Sequence, residues 1–351
     1  MKKVIFGLSV AAVIYAGCKK DPSLTETPGG STASATPYTI VYPKGFSAMP
    51  IPADNPMTVE GVALGKRLFF EPLLSGNNQM SCGTCHHQEA AFVDAGKQFS
   101  EGITGEKGTR NAMPLFNLGW AKKFFWDGGA IGLENQVLGP ITNPVEMHED
   151  LNVAVAELQA HPEYPALFRK AFGTDKVSTA LIMKAIAQFE RTLISGNSKF
   201  DQWQRGQVAL TVEELRGYEL FTNMEKGDCN HCHVVSSQFT DYELRNNGLD
   251  SIFTDEGAEK ITLNPLDKGK FKTPSLRNVE LTAPYMHDGR FATLEEVVDH
   301  YNTGIKHSTT LDPNLQHLAP GRLSQQDVND LVAFMKTLTD HDFINDPRFK
   351  Q

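Results

Sequence analysis

The chain has 351 residues, 40% of them hydrophobic, which is enough for about two domains of roughly 150 residues, each with a core of its own. Its net charge of -9 argues against nucleic acid, which calls for clustered basic residues. That charge permits a basic protein partner without naming one.

The first residues have the layout of an export signal. Lys2 and Lys3 precede an apolar run from Val4 to Ala16, too short to span a membrane, and Gly17-Cys18 follows. The Ala-Gly-Cys ending reads as a bacterial lipoprotein signal over residues 1–17, with Cys18 carrying the lipid. Tyr15 is unusual at the third position before that cysteine, so a plain signal peptide with a chance cysteine is the alternative. Residues 18–41 are rich in Ser, Thr, Pro and Gly without periodic apolar positions, the composition of a solvated tether. Folded sequence is expected from Tyr42.

Two tandem units follow, expected at residues 42–205 and 206–351. From Thr58, the apolar positions Val59, Val62, Ala63, Leu68 and Phe69 predict a helix ending before Pro72. A loop then leads to Cys82-Gly-Thr-Cys85-His86. The second unit repeats the scheme: Thr211-Val-Glu-Glu214 is a capping box, a helix runs through Leu215 and Phe221, and Cys229-Asn-His-Cys232-His233 follows. Both helices carry Gly-x-x-x-Phe, Gly65 with Phe69 and Gly217 with Phe221. Each unit closes on a similar helix, through Phe189 to Leu193 and through Phe334 to Leu338. No alternating run is long enough for a substantial sheet, so the fold class is mainly α.

In Cys-x-x-Cys-His the two thiols can add to haem vinyl groups while the adjacent imidazole ligates the iron. A thioredoxin-like redox pair or half a zinc site is the competing reading of a single copy. Two copies, each followed by His and preceded by a Gly-x-x-x-Phe helix in a chain with an export-type leader, select c-type haem. The expected fold is therefore two cytochrome c-like domains, each with one covalently bound haem. Cys82, Cys85, Cys229 and Cys232 would be the attachment points and His86 and His233 the axial ligands. His87 and His231 lie too close to the motifs in the chain to reach the opposite haem face. With Cys18 given to lipid, all five cysteines have a use and none remains for a disulfide.

The sixth iron position separates carriers, which fill it, from catalysts, which leave it open. In the second unit Met286 lies in the loop Ala283-Pro-Tyr-Met-His-Asp-Gly289. Tyr301 follows a capping box, Thr293 to Glu296, and shares a face with Leu294, Val297 and Val298. A buried core tyrosine is the plainer reading of Tyr301. In the first unit residues 88–110 contain no His, Met or Tyr, so its haem is expected to have an open face; Met113 and Met147 come later. Between the two motifs runs a long segment, Arg110 to Glu149, holding Trp126, Gln136 and Glu146. Their ten-residue spacing fits no single helix face.

Taken together, Thr109-Arg-Asn-Ala112, Phe125-Trp-Asp-Gly128, Leu133-Glu-Asn-Gln136, Asn143-Pro-Val-Glu-Met147 and Leu281-Thr-Ala-Pro-Tyr-Met-His-Asp-Gly289 accompany the two CxxCH motifs. From about residue 56 to 340 the chain resembles the bacterial di-haem cytochrome c peroxidases, a family that includes the MauG-type enzymes. The resemblance implies a peroxidatic haem on His86 in residues 42–205 and an electron-transfer haem on His233 in residues 206–351. It implies Glu146 as the distal acid-base group, Gln136 as its hydrogen-bonding companion and Trp126 as an electron relay between the haems. It also implies calcium held by Asn111 with the backbone carbonyls of Thr282 and Pro284, hard oxygen ligands that suit this ion.

Two departures stand out. Many of these peroxidases carry a His in the loop after the first CxxCH, which blocks the iron until the other haem is reduced; this sequence has none there. The position where they place a Met ligand on the second haem falls here on Tyr301, as in MauG-type enzymes, with Met286 the alternative. The expected function is periplasmic reduction of hydrogen peroxide, by a membrane-anchored lipoprotein, with electrons from a cytochrome c or cupredoxin. A MauG-like oxidase acting on a protein or small molecule and a non-catalytic di-haem electron carrier are the alternatives. A homodimer is left open.

Overall fold

The computed structural model describes residues 35–351, so the signal segment, Cys18 and most of the expected tether lie outside the described residues. Folded sequence starts earlier than Tyr42. Tyr38 N donates to Met57 O (3.0 Å) and Val59 N to Thr36 O (2.8 Å), while the Thr36 hydroxyl and amide reach Glu60. The reason is that the first helix presents its free N-terminal turn and an acid there, and the extended strand at Thr36–Tyr38 satisfies both.

That helix, α1 (Val59–Phe69), is capped by Thr58, whose hydroxyl accepts from Gly61 N. It crosses α4 (Thr179–Glu190). In the second half α5 (Val212–Thr222), with the expected capping box Thr211/Glu214, crosses α7 (Gln325–Lys336). Both crossings use the glycine of Gly-x-x-x-Phe. A Cβ on Gly65 would overlap the carbonyl oxygen of Ala185, and one on Gly217 that of Asp330, so only glycine permits the backbones to approach this closely. Phe69 then packs on Phe189 and Phe221 on Phe334, at 5.3 and 5.1 Å between ring centroids. The helices α2 (Leu151–Ala160) and α3 (Tyr164–Phe172) extend the first core, and α6 (Leu294–Asp299) packs on α7 in the second. Among the described residues the single sheet is one two-residue antiparallel ladder, β1 (Leu244–Arg245) with β2 (Phe271–Lys272).

A second repeat is less visible in sequence. Asn117 and Asn278 both take left-handed backbone before a 3-10 turn. Seven residues later each chain forms a pinched loop, closed by Phe124 N to Ala130 O (2.9 Å) and Tyr285 N to Phe291 O (2.7 Å). Within these loops Phe125 and Met286 share a positive φ, as do Gly128 and Gly289. A helical turn follows each loop, from Leu133 and from Leu294. Continued at the same register, this superposition sets Trp126 against His287 and Pro140 against Tyr301.

Candidate functional site

Each CxxCH motif forms a tight helical turn at the edge of a cavity. The first cavity, about 930 Å³, is walled by Cys82, Cys85, His86, Trp126, Gln136 and Glu146. The second, about 200 Å³, is walled by Cys229, Cys232, His233, Met286, Tyr301 and Arg322. Trp126, Asn111 and Lys272 contribute to both. Spacing along the chain could not bring Trp126, Gln136 and Glu146 together; the pinched loop and the turn after it do.

The two histidines are held alike. His86 Nδ1 meets Phe92 O at 2.6 Å and His233 Nδ1 meets Phe239 O at 3.3 Å, each six residues on. Donation from Nδ1–H leaves the lone pair on Nε2, the arrangement a metal-ligating imidazole needs. Phe92 and Phe239 reach this position through positive φ and are fully buried, so a phenylalanine carbonyl orients each ring. Sequence reasoning missed both, because a backbone acceptor carries no residue-type signal; the shared His-to-Phe spacing was the only trace. Burial lowers the His86 pKa and takes His233 down to about 4, so both rings are neutral.

The four described cysteines are unpaired thiols. Burial raises Cys82 and pushes Cys85 up to about 11 and Cys229 and Cys232 up to about 12. A thioredoxin-type pair needs the opposite shift. Among the described residues no group of three or more His, Cys, Asp or Glu side chains could hold a metal ion. His87 and His231 face Asp94 and Asp228 and belong to neither cavity wall.

Glu146 lies in a turn that closes on itself, Glu146 N to Asn143 O at 3.0 Å, and Ile103 N donates to its carbonyl at 2.9 Å. Gly102 backs this turn; a Cβ there would overlap the Val145 carbonyl. Burial raises the Glu146 pKa, opposed only by a hydrogen bond from Asn143 Nδ2 to Oε1 (2.8 Å). The side-chain partner of Glu146 is Asn143, three residues away, because the turn folds Asn143 back onto its own acid. Gln136 Oε1 is buried without a partner at the cavity wall. A second acid, Glu190 at the end of α4, lines the same cavity and is pushed up to about 8 by burial.

Between the cavities runs a closed circuit. Trp126 Nε1 donates to Asn111 O (2.9 Å), and Asn111 N donates to His287 O (2.8 Å). The His287 ring stacks on Phe271 at 3.7 Å, and the next residue, Lys272, donates its N–H to Trp126 O (2.6 Å). Trp126 is thus fixed at its ring and at its backbone. Arg110 braces the same junction with Asp127 and Asp255, N–O 2.5 and 2.7 Å. Asn111 Nδ2 donates to Lys97 O and Gln98 O, both 3.2 Å, which leaves its Oδ1 free. Asn111, Thr282 and Pro284 share the wall of the second cavity.

Both candidates for the second sixth ligand reach one side chain. Asn247 Nδ2 lies 3.4 Å from Met286 Sδ and 3.3 Å from Tyr301 Oη. Tyr301 sits where α6 widens into a π-turn over residues 300–304, and burial raises its pKa. His300 is buried and bonds Asn247 O through Nε2 at 3.1 Å. The wider turn swings it inward. Asn247 had no sequence signal. In the first unit the superposed positions are Phe125 and Pro140, neither of which can ligate iron; Met80, Met113 and Met147 lie elsewhere on that wall.

Known proteins bear on this geometry. The sequence profile of the di-haem cytochrome c peroxidase family matches residues 59–209. Methylamine utilization protein MauG of Methylorubrum extorquens is 38% identical over 301 residues, covering 83% of this chain and 81% of that protein. Cytochrome c551 peroxidase of Nitrosomonas europaea is 36% identical over 299 residues, 83% of each chain. The crystal structure of a MauG-like protein associated with microbial copper homeostasis superposes with a TM-score of 0.83 at 36% identity, covering 89% of this chain and 99% of that one. Two cavities of one plan, each with a CxxCH turn and a carbonyl-oriented histidine, and similarity along most of the length lead to one conclusion: the chain is an enzyme of the di-haem cytochrome c peroxidase family.

Proposed function

We propose that this chain is a periplasmic peroxidase that reduces hydrogen peroxide to water with electrons from a small redox protein. One observation carries the reading: Glu146, a half-buried acid with only an amide for a partner, shares a 930 Å³ cavity with His86. The proposed arrangement is two cytochrome c-like domains. Cys82, Cys85 and His86 would hold one haem, and Cys229, Cys232 and His233 the other. The donor chemistry fits, since each histidine keeps an Nε2 lone pair and the unpaired Gln136 Oε1 awaits a polar partner. A haem on His86 supplies an iron able to bind peroxide and the redox capacity to break its O–O bond.

Glu146 takes the proton from one peroxide oxygen and delivers it to the other, so that water can leave; two electrons and two protons per peroxide give two waters. Burial suits it to this, since a raised pKa lets the carboxyl hold and release a proton nearer neutrality. Gln136 steadies the bound peroxide. Trp126, a wall of both cavities, carries electrons delivered at the second. Asn111 and the backbone carbonyls of Thr282 and Pro284 would hold a calcium ion between the halves. Phe125 and Pro140 at the superposed ligand positions support an open first iron that needs no displaced loop ligand. Export is read from residues 1–17 and anchoring from Cys18; among the described residues no helix is long and apolar enough to cross a membrane.

Steady-state assay with hydrogen peroxide and a reduced cytochrome c or cupredoxin tests this reading. Rapid donor oxidation is expected; donor oxidation no faster than with free haem would sink it. A MauG-like oxidation of a protein or small molecule is the second reading, favoured by Tyr301 at the second iron. A carrier without catalysis would have no use for Glu146. Asn247 donates toward Tyr301 Oη, which stabilises an anionic phenolate, and we assign Tyr301 as the ligand with Met286 in reserve. The Tyr301→Phe variant is expected to change the low-spin spectrum of the second haem and to raise its potential as Met286 takes over. An unchanged spectrum would remove Tyr301 from the iron.

A further inference from the structure

Lys272 is the one buried side-chain cation on the cavity walls that lacks a counter-charge among the described residues. It is 6% exposed and makes no side-chain hydrogen bond or ion pair among the described residues; its Nζ lies over the Tyr242 ring, 5.7 Å from the centroid. Of the other cations on those walls, Arg245 is paired with Asp241 and Asp312, and the half-buried Arg322 donates to the carbonyls of Lys226 and Tyr301. Arg110 is paired with Asp127 and Asp255, Lys123 reaches Glu243, and Lys107 is exposed to solvent. Burial lowers the Lys272 pKa to about 8, so the ammonium persists at neutral pH. An unpaired buried charge is unfavourable, and a bound anion would relieve it.

Position says where that anion sits. Lys272 lines both cavities, but Tyr242, over which its Nζ lies, belongs to the wall of the first alone. Its own N–H holds the Trp126 carbonyl, which ties Lys272 to the loop that carries Trp126. We propose that Lys272 is the anion seat of the first cavity, its ammonium pairing with a carboxylate at the edge of the haem bound there. It acts as a positioning residue. The pair fixes the rotation of the haem about its thioether side, and a positive charge nearby favours the reduced iron. The proposal rests on the reading of the first cavity as a haem site.

The test is a spectroelectrochemical titration of holoprotein bearing Lys272→Met, with Lys272→Arg as the charge-keeping control. Wild-type protein must first show two haems per chain; fewer would defeat the haem reading itself, before any variant is made. With two haems present in Lys272→Met, the high-spin haem is expected to move at least tenfold toward the oxidised form at a given potential, about 59 mV for one electron. The second haem should hold its potential, and Lys272→Arg should restore the first. Equal potentials in all three proteins, or a shift confined to the second haem, would overturn the proposal. Should Lys272→Met fail to accumulate, Lys272→Gln is read in the same way.

Discussion

Glu146→Gln is expected to slow peroxide turnover by about 10²- to 10⁴-fold while both haems stay attached and the resting spectrum is unchanged. Glutamine keeps the shape of the side chain and can still accept from Asn143 Nδ2, so the turn from Asn143 to Met147 should survive. What is lost is the proton. No other acid shares that turn, and Glu190, the second acid of the cavity, sits on α4 against the Cys82 side, where it cannot be assumed to substitute. The loss should fall mainly on kcat, because an interaction made in the transition state lowers turnover more than affinity. Unchanged turnover would remove Glu146 from the mechanism.

Asp201→Asn is expected to cost about 3–5 kcal/mol of stability, read as a lower urea midpoint of the holoprotein. Arg277 is 1% exposed and forms two 2.8 Å bonds to Asp201; its Nε also donates to Ser237 O at 2.5 Å. Removing the carboxylate charge would strand a buried guanidinium. The pair also reaches the second site, since Arg277 lies over the Phe239 ring, whose carbonyl orients His233. Burial alone would raise the Asp201 pKa, but Arg277, helped by Ser198, lowers it below the usual value. A lowered folded pKa stabilises the fold above the unfolded value, near 4, and that stability is lost as pH falls through the folded value. The wild-type protein should therefore lose stability below about pH 4 more steeply than Asp201→Asn. Parallel acid limbs for the two would show that the pair contributes nothing of this kind.

Much of the scaffold was legible beforehand. Thr211 and Thr293 cap helices where the capping pattern put them, because a cap is a contact over three residues. Gly65 and Gly217 marked the two helix crossings, since only glycine permits such an approach and its place in the chain repeats. The chain start was misjudged by a few residues, because Thr36–Tyr38 is held through backbone groups and an acid twenty-four residues away. The repeat between the loops at Phe124–Ala130 and Tyr285–Phe291 was also hidden. It lives in backbone dihedrals and shares little beyond Asp-Gly.

Sequence alone determined that two CxxCH turns stand in a mainly helical tandem, because thiol spacing, caps and helix periodicity are local chemistry. Tertiary structure decided the rest. It brought Trp126, Gln136 and Glu146 onto one cavity, set Asn143 against Glu146, and set Asn247 between Met286 and Tyr301. It also left Lys272 buried beside Trp126 without a partner. Each of these depends on a pinched loop, a backbone carbonyl or a desolvated charge. Such features arise from where the chain path brings distant segments together, and residue type and spacing do not encode that path.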